Sequence, residues 1–340
     1  MLASLYAASA SARRAYYQGS GRQRRLAQPV VSVGNLRVGG TGKTPTVAHL
    51  ARLLIEMGER PAILSRGYGR RSAPDGVVVV SDGRRMCADL DRSGDEPLML
   101  ARAVEGARVL VSRDRYLAGR LAETHLDATV HLLDDGFQHL TLARGTDLLI
   151  VGPDDLADAR TLPAGRLREP LSAASRAHAV LVAADTEEQA RTVAASLGVG
   201  DGFRLVRTAG TPQRLDAVRA SAPIRGTAPV LAAAGIARPD RFFSELRAAG
   251  WDVREAVGFP DHHRYSREDA ARLAERARKA GAKAIVTTEK DVVRLLPFRP
   301  MPSPVVWVPL DMRIEPAPAF RAWLAARLVV ERGRGREGRA

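Results

Sequence analysis

One cysteine, Cys87, stands in 340 residues. A single thiol excludes a disulfide framework and a cysteine-rich zinc site, and it fits a reducing compartment. Aromatic residues make up only 5% of the chain, so no stacking surface for single-stranded nucleic acid is expected. No stretch reaches the roughly 20 apolar residues that span a bilayer, and the N-terminus lacks the sustained apolar run of a secretory signal. No internal repeat is visible. What is abundant is positive charge: 52 Lys and Arg stand against 38 Asp and Glu, a formal net charge of +14. Such an excess suits nucleic acid, an anionic membrane surface or a phosphorylated substrate. The arginines are spread through every segment, so charge alone chooses none of the three.

With 45% hydrophobic residues, the length suffices for two domains of ordinary size. Apolar runs alternate with helical patterns, which predicts an α/β fold with a mostly parallel sheet covered by helices. Strands are expected at 30–33, 62–65, 77–80, 108–112, 129–133, 148–151 and 179–183, and helices at 44–57, 96–103, 115–123 and 187–197. The alternation loosens between 207 and 228, then resumes with strands at 230–234, near Val253, at 284–287 and at 305–308, and helices at 239–249 and 267–280. A second, smaller α/β domain follows from this, with a boundary near residue 222. The expected division is a basic, amphipathic segment 1–28, a first domain 29–222, a second 223–330, and a disordered basic tail 331–340. In the first segment, Leu2, Leu5, Tyr6, Tyr16 and Tyr17 accompany Arg13 and Arg14. That pattern suits either a helix at a membrane interface or one packed on the protein's own flank.

The chemistry gathers where apolar runs end, because ligands of open α/β sheets bind beyond the carboxyl ends of strands. The run Val30–Val33 leads into Arg37-Val38-Gly39-Gly40-Thr41-Gly42-Lys43-Thr44 and then a helical pattern. This order suits a nucleotide triphosphate. Glycines let backbone N–H groups close around phosphate, Lys43 places charge on the β- and γ-phosphates, and the Thr44 hydroxyl reaches Mg²⁺. Arg37 stands where the general phosphate-loop pattern has a glycine. A second run ends in Asp134-Asp135-Gly136-Phe137-Gln138-His139. An aspartate closing a strand beside a phosphate loop is the natural metal arm, and its neighbour is free for substrate. Asp95 could accept a hydroxyl proton or cap the helix that starts near Glu96. His262 and His263 follow Gly258-Phe259-Pro260-Asp261, with no third ligand nearby to suggest a metal site. The turn Leu162-Pro163-Ala164-Gly165-Arg166-Leu167-Arg168-Glu169-Pro170 sets guanidinium forks between prolines, suited to a phosphate clamp or a solvated turn.

Taken in order, these segments resemble the tetraacyldisaccharide 4'-kinase family of lipid A biosynthesis across nearly the whole chain. The resemblance is carried by Gly34-Asn35-Leu36 with Gly39–Pro45, Ser65-Arg66-Gly67-Tyr68-Gly69, Gly94-Asp95-Glu96-Pro97, Asp134–His139, Leu162–Gly165 with Leu167-Arg168-Glu169, Phe259–His262 and Thr288-Glu289-Lys290-Asp291. The family's loop is similar at Arg37. The resemblance implies a P-loop kinase fold of two α/β domains, and transfer of the ATP γ-phosphate to the 4'-hydroxyl of a tetraacyldisaccharide 1-phosphate. It further implies peripheral contact with the anionic membrane at the cytoplasmic face of the inner membrane, and no nucleic-acid partner. Residue by residue, Arg37–Thr44 would bind the triphosphate, and Thr44 and Asp134 would hold Mg²⁺. Lys43, Asp135, Asp95 and His262 would serve catalysis, with Asp95 nearest the hydroxyl and His262 supporting it from the second domain. Arg115, Arg168 and His139 would face the substrate. A partition-type switch ATPase shares a similar Gly39–Thr44 loop. Such proteins usually place a lysine where this chain has Val38, and they give no role to Asp95, His262 or the Leu162–Gly165 turn.

Overall fold

The computed structural model describes residues 2–19, 21–72, 76–215 and 228–337. Fourteen strands form among these residues: β1 Val30–Asn35, β2 Pro61–Ser65, β3 Val78–Asp82, β4 Arg108–Val111, β5 Val130–Asp134, β6 Thr146–Val151, β7 Ala179–Val182, β8 Gly202–Ala209, β9 Gln213–Arg214, β10 Val230–Ala234, β11 Val253–Gly258, β12 Ala284–Thr288, β13 Val305–Val308 and β14 Leu310–Glu315. They build a nine-stranded sheet ordered β14-β8-β7-β6-β1-β5-β2-β4-β3 and a five-stranded sheet ordered β11-β10-β12-β13-β9. Pairing from β8 through β4 is parallel, and β3 joins β4 antiparallel. In the smaller sheet β11, β10, β12 and β13 run parallel, and the short β9 lies antiparallel to β13.

The central strands are buried along their whole length, as continuous Val/Leu/Ile runs require when helices cover both faces of a parallel sheet. Helix Lys43–Glu56 turns Val47, Leu50, Ala51 and Leu54 inward at helical spacing, all of them without solvent exposure. It stops before Gly58, whose φ of 84° continues in the left-handed region. On one flank of β1, Leu64, Leu110, Leu133 and Ala118 share a cluster. On the other, Leu149, Val180, Leu167 and Phe137 share a second. The smaller sheet has its own core, with Phe243, Leu246 and Trp251 on Ala232, Val286 and Val306.

Two compact units result, Met1–Arg207 with Met312–Ala340, and Thr208–Asp311. The expected boundary near residue 222 lies outside the described residues. The expected second domain 223–330 runs too far, because β14 and helix Ala317–Glu337 return to the first unit. Phe320, Leu324 and Leu328 recur every four residues and bury one face of that helix. Phe320 meets Phe203 of β8 edge-on at 5.0 Å between ring centroids. The tail 331–340, expected to be disordered, is helical through Glu337, with 338–340 outside the described residues, and Arg332 Nη2 donates to both Glu59 carboxylate oxygens at 2.7 and 2.8 Å. Strand β8 was not expected either, although Phe203 and Leu205 alternate inward with polar neighbours.

Candidate active site

β1 lies between β5 and β6 at the centre of the large sheet, with Val33 in register with Asp134 of β5. The carboxyl ends of the two strands therefore carry the glycine-rich loop and the twin acids side by side. Gly34 makes this close approach possible. A Cβ there would sit 2.4 Å from the Phe137 Cβ and 2.8 Å from its backbone nitrogen. The loop's own glycines allow the tight turn, with φ of 112° at Gly39 and 83° at Gly42, which precedes helix Lys43–Glu56. The turn 162–168 backs the loop. Val38 N–H donates to the Arg166 carbonyl at 2.9 Å and Arg168 N–H to that of Leu36 at 2.5 Å.

Lys43 Nζ donates to Asn35 Oδ1 at 3.0 Å and stands 3.6 Å from Asp135 Oδ1. Arg168 grips the Asp135 carboxylate with both Nη atoms, at 2.8 and 2.9 Å, and also donates to Asn35 Oδ1 at 2.5 Å. Asn35, polar and fully buried at the end of β1, thus links lysine and arginine. The sequence placed it in a segment shared with the family but gave it no role, although a polar residue closing an apolar strand was its signal. Arg37 is turned the other way, 3.3 Å from Asp154 and 3.6 Å from Asp155.

The two acids are shifted in opposite directions. Asp134 is 3% exposed, and its Oδ1 has no hydrogen-bond partner. Burial, then the charges of Glu96 and Asp135, push its carboxyl up to about 7. Asp135 has a left-handed φ of 52°, which ends the strand. Burial works to raise it too, but the Arg168 hydrogen bonds and the charges of Lys43, Arg168 and Arg115 prevail and hold it at about 2. A buried carboxylate oxygen without a partner at the end of β5, together with the buried Thr44 that follows the glycine-rich loop, fits a hard divalent cation that takes its other ligands from phosphate and water. Among the described residues no cluster of three or more His, Cys, Asp or Glu could hold a metal by itself.

Arg115, the first residue of its helix, is 3% exposed. Its Nη2 donates to the Asp134 carbonyl at 3.1 Å and its Nη1 faces His139 Nδ1 at 3.2 Å. Arginine can only donate, so Nδ1 of His139 accepts and Nε2 carries the proton, 3.2 Å from Thr141 Oγ1. Burial, and then Arg115, Arg144 and Arg66, push His139 down to about 3, so the ring is neutral. Asp95 opens helix Asp95–Ala103 and is 6% exposed. The residue before the helix is Gly94, which has no side chain to cap it, and the Asp95 carboxylate meets a first-turn amide instead. Its Oδ1 accepts the Glu96 N–H at 3.0 Å.

His262 belongs to the second unit, with φ of 57° and its Nδ1 3.4 Å from Arg294 Nη2. Its neighbour His263 is occupied differently, stacked on Phe259 at 4.5 Å and 3.1 Å from Asp269. Beneath them the fully buried Asp291 receives hydrogen bonds from Gly235 N–H, the Tyr265 hydroxyl, the Thr288 hydroxyl and Arg294. The Thr288–Asp291 segment is thus a structural knot that anchors the arginine facing His262.

Comparison with known proteins identifies the family. Residues 1–329 match the family model of LpxK, tetraacyldisaccharide-1-P 4'-kinase. A tetraacyldisaccharide 4'-kinase of Geobacter sulfurreducens is 43% identical over 307 residues, 89% of this chain and 85% of the relative. One of Koribacter versatilis is 40% identical over 325 residues, 94% and 95% of the two chains. The crystal structure of LpxK from Aquifex aeolicus in complex with ATP superposes with a TM-score of 0.77 at 31% identity, covering 96% of this chain and all of that one. Nothing among these comparisons favours a partition-type switch ATPase. With a family model matched over residues 1–329 and relatives at about 40% identity, this chain belongs to the tetraacyldisaccharide-1-P 4'-kinase family.

Proposed function

We propose that the protein transfers the γ-phosphoryl group of ATP to the 4'-hydroxyl of a tetraacyldisaccharide 1-phosphate. The observation that carries this reading is the convergence of Lys43, Asn35, Arg168 and both acids at the ends of β1 and β5, in a chain of this family. Backbone N–H groups of 37–44 cradle the triphosphate, and Lys43 leaves Asn35 and Asp135 for phosphate oxygen. Thr44 and Asp134 would hold Mg²⁺, which would supply positive charge to offset that developing on the transferred phosphoryl group. Asp95 takes the hydroxyl proton as the 4'-oxygen bonds to the γ-phosphorus and the bond to ADP breaks. His262 supports Asp95 in that role. Arg168 holds Asp135 and Asn35 in place at the strand ends, while Arg115 and His139 line the acceptor side.

The test is an assay with labelled ATP and purified tetraacyldisaccharide 1-phosphate. Label should pass to lipid, and Asp95→Ala should abolish transfer; ATP hydrolysis that ignores the acceptor would overturn the assignment. His262→Ala should lower turnover at least about tenfold with little change in ATP affinity, as expected for a residue acting on the base.

The acceptor's acyl chains place the work at a membrane, and we infer peripheral attachment at the cytoplasmic face of the inner membrane. Helix Leu2–Gln18 supports this, exposing Leu2, Leu5, Tyr6 and Tyr16 on one side with Arg22 over the Tyr16 ring. No helix of the described residues is long and apolar enough to cross a bilayer. Sedimentation with anionic vesicles should show binding that weakens with salt.

A further inference from the structure

Asn35 is the last residue of β1 and has no solvent exposure. It stands where the chain leaves the sheet for the glycine-rich loop, in register with Ile150 of β6. A buried polar side chain in a Val/Leu/Ile sheet is costly unless its groups are paired, and this one is paired only in part. Its Oδ1 accepts Lys43 Nζ at 3.0 Å and Arg168 Nη2 at 2.5 Å. Its backbone carbonyl accepts the same Arg168 Nη2 at 3.0 Å and Gln138 Nε2 at 3.1 Å. Lysine and arginine only donate, so the amide oxygen must face them and the amide nitrogen must face away. That nitrogen, Nδ2, is buried with no hydrogen-bond partner.

For the folded chain alone, aspartate would suit this position better. It has the same shape, would accept from both cations in charge-assisted bonds, and would leave no orphaned donor. The charges around the amide show what such a carboxylate would undo. Lys43 and Arg168 already share one carboxylate, Asp135, which Arg168 holds at 2.8 and 2.9 Å and Lys43 meets at 3.6 Å. Two cations against that one anion leave surplus positive charge beside the loop, and an amide preserves it. A second carboxylate would cancel the surplus and lock the largely buried Lys43 into an ion pair.

We propose that Asn35 is a positioning residue for the donor phosphates, a neutral latch that stations Lys43 beside Arg168 without pairing its charge. The inference rests on the kinase reading above and deepens it. A neutral acceptor gives a modest net hydrogen bond, so a phosphate oxygen displaces it readily, whereas a carboxylate would compete on equal terms. Arg168 has the other half of the task. It keeps Oδ1 and the Asn35 carbonyl after Lys43 moves, so the end of β1 holds its shape. The unpaired Nδ2 is stability given up for function.

The experiment measures ATP binding by titration calorimetry with Mg²⁺, and melting without nucleotide, for the full chain and two variants. Asn35→Asp keeps the shape and adds charge, whereas Asn35→Ala removes every side-chain contact and adds none. Asn35→Asp should melt no lower than the wild type, yet bind ATP roughly ten- to a hundredfold more weakly, with KM for ATP raised in parallel. Asn35→Ala should melt lower, yet bind ATP within about fivefold of the wild type, the loss of one neutral hydrogen bond. A residue with a purely structural role gives the reverse order of affinities, because the variant that keeps the contacts keeps the site. Asn35→Asp binding ATP like the wild type, or affinity that falls in step with melting temperature, overturns the latch. If Asn35→Ala does not fold, the two measurements on Asn35→Asp still decide. A wild type that binds no ATP sinks the kinase reading, and the latch with it.

Discussion

Asp134 and Asp135 share a peptide bond and are shifted in opposite directions, Asp134 up and Asp135 down, and each shift has a measurable consequence. Asp134, pushed up to about 7, keeps in the folded protein a proton that the unfolded chain has lost. Its contribution to stability therefore falls as pH climbs from the ordinary carboxylate range through about 7. Asp134→Asn should melt higher than the wild type in metal-free buffer at pH 8, by about 4 °C or more, and the gap should close toward pH 5. The same variant should lose phosphoryl transfer and Mg²⁺-dependent stabilisation by ATP. Asp135, held at about 2, contributes stability that is present above the ordinary carboxylate range and lost as pH falls through it. Arg168→Gln removes the fork that opposes burial there, so Asp135 rises, and the acid limb of the turnover profile should move to higher pH. At this scale the nucleotide loop, the twin acids and Arg168 were legible in the sequence, because strand, glycines and charge must be near one another in the chain. Asn35 and Glu96 were not, because their roles depend on what faces them after folding.

The elements that frame the site are held by close contacts between loops. Gly34→Ala would force a Cβ into Phe137, driving the acid turn off β1. About 3 kcal/mol of stability should be lost, measurable by urea unfolding, with a parallel loss of ATP affinity. The N-terminal helix is tied in by Arg14, which donates to both Glu169 carboxylate oxygens at 2.6 and 2.7 Å and to the Phe137 carbonyl at 3.1 Å, with its fork over the Phe137 ring. Both side chains are only 6% exposed. Arg14→Met would strand a buried carboxylate and should cost about 3–5 kcal/mol, read from the same unfolding curves. The two open readings of that helix are therefore not exclusive, since Arg14 faces inward while Leu2, Leu5 and Tyr16 face out. Periodicity located the strands and helices of the central sheet well, because Val/Leu/Ile runs have few other uses in a parallel sheet. It passed over β14, whose half-buried residues mix both signs of charge.

At the scale of the molecule, the chain leaves its first unit after Arg207 and returns at Met312. Helix Ala317–Glu337 then packs back on the first unit, with Phe320, Leu324 and Leu328 buried, Trp323 stacked on Phe320 at 5.8 Å and Arg332 on Glu59. Burial of each such side chain contributes about 2 kcal/mol, so deletion of 317–340 removes more than the first unit can spare. That shortened chain should lose cooperative melting and ATP binding, while residues 208–311 retain their own transition by calorimetry.

The amino-acid order alone determined the class of fold, the phosphate loop and the acids that answer it, since each rests on neighbours a few positions apart. Tertiary structure alone decided which acid is raised and which lowered, what holds Lys43 beside Arg168, and which unit owns the C-terminal helix. Those outcomes depend on burial and on charges brought together from distant segments, and no local pattern encodes either.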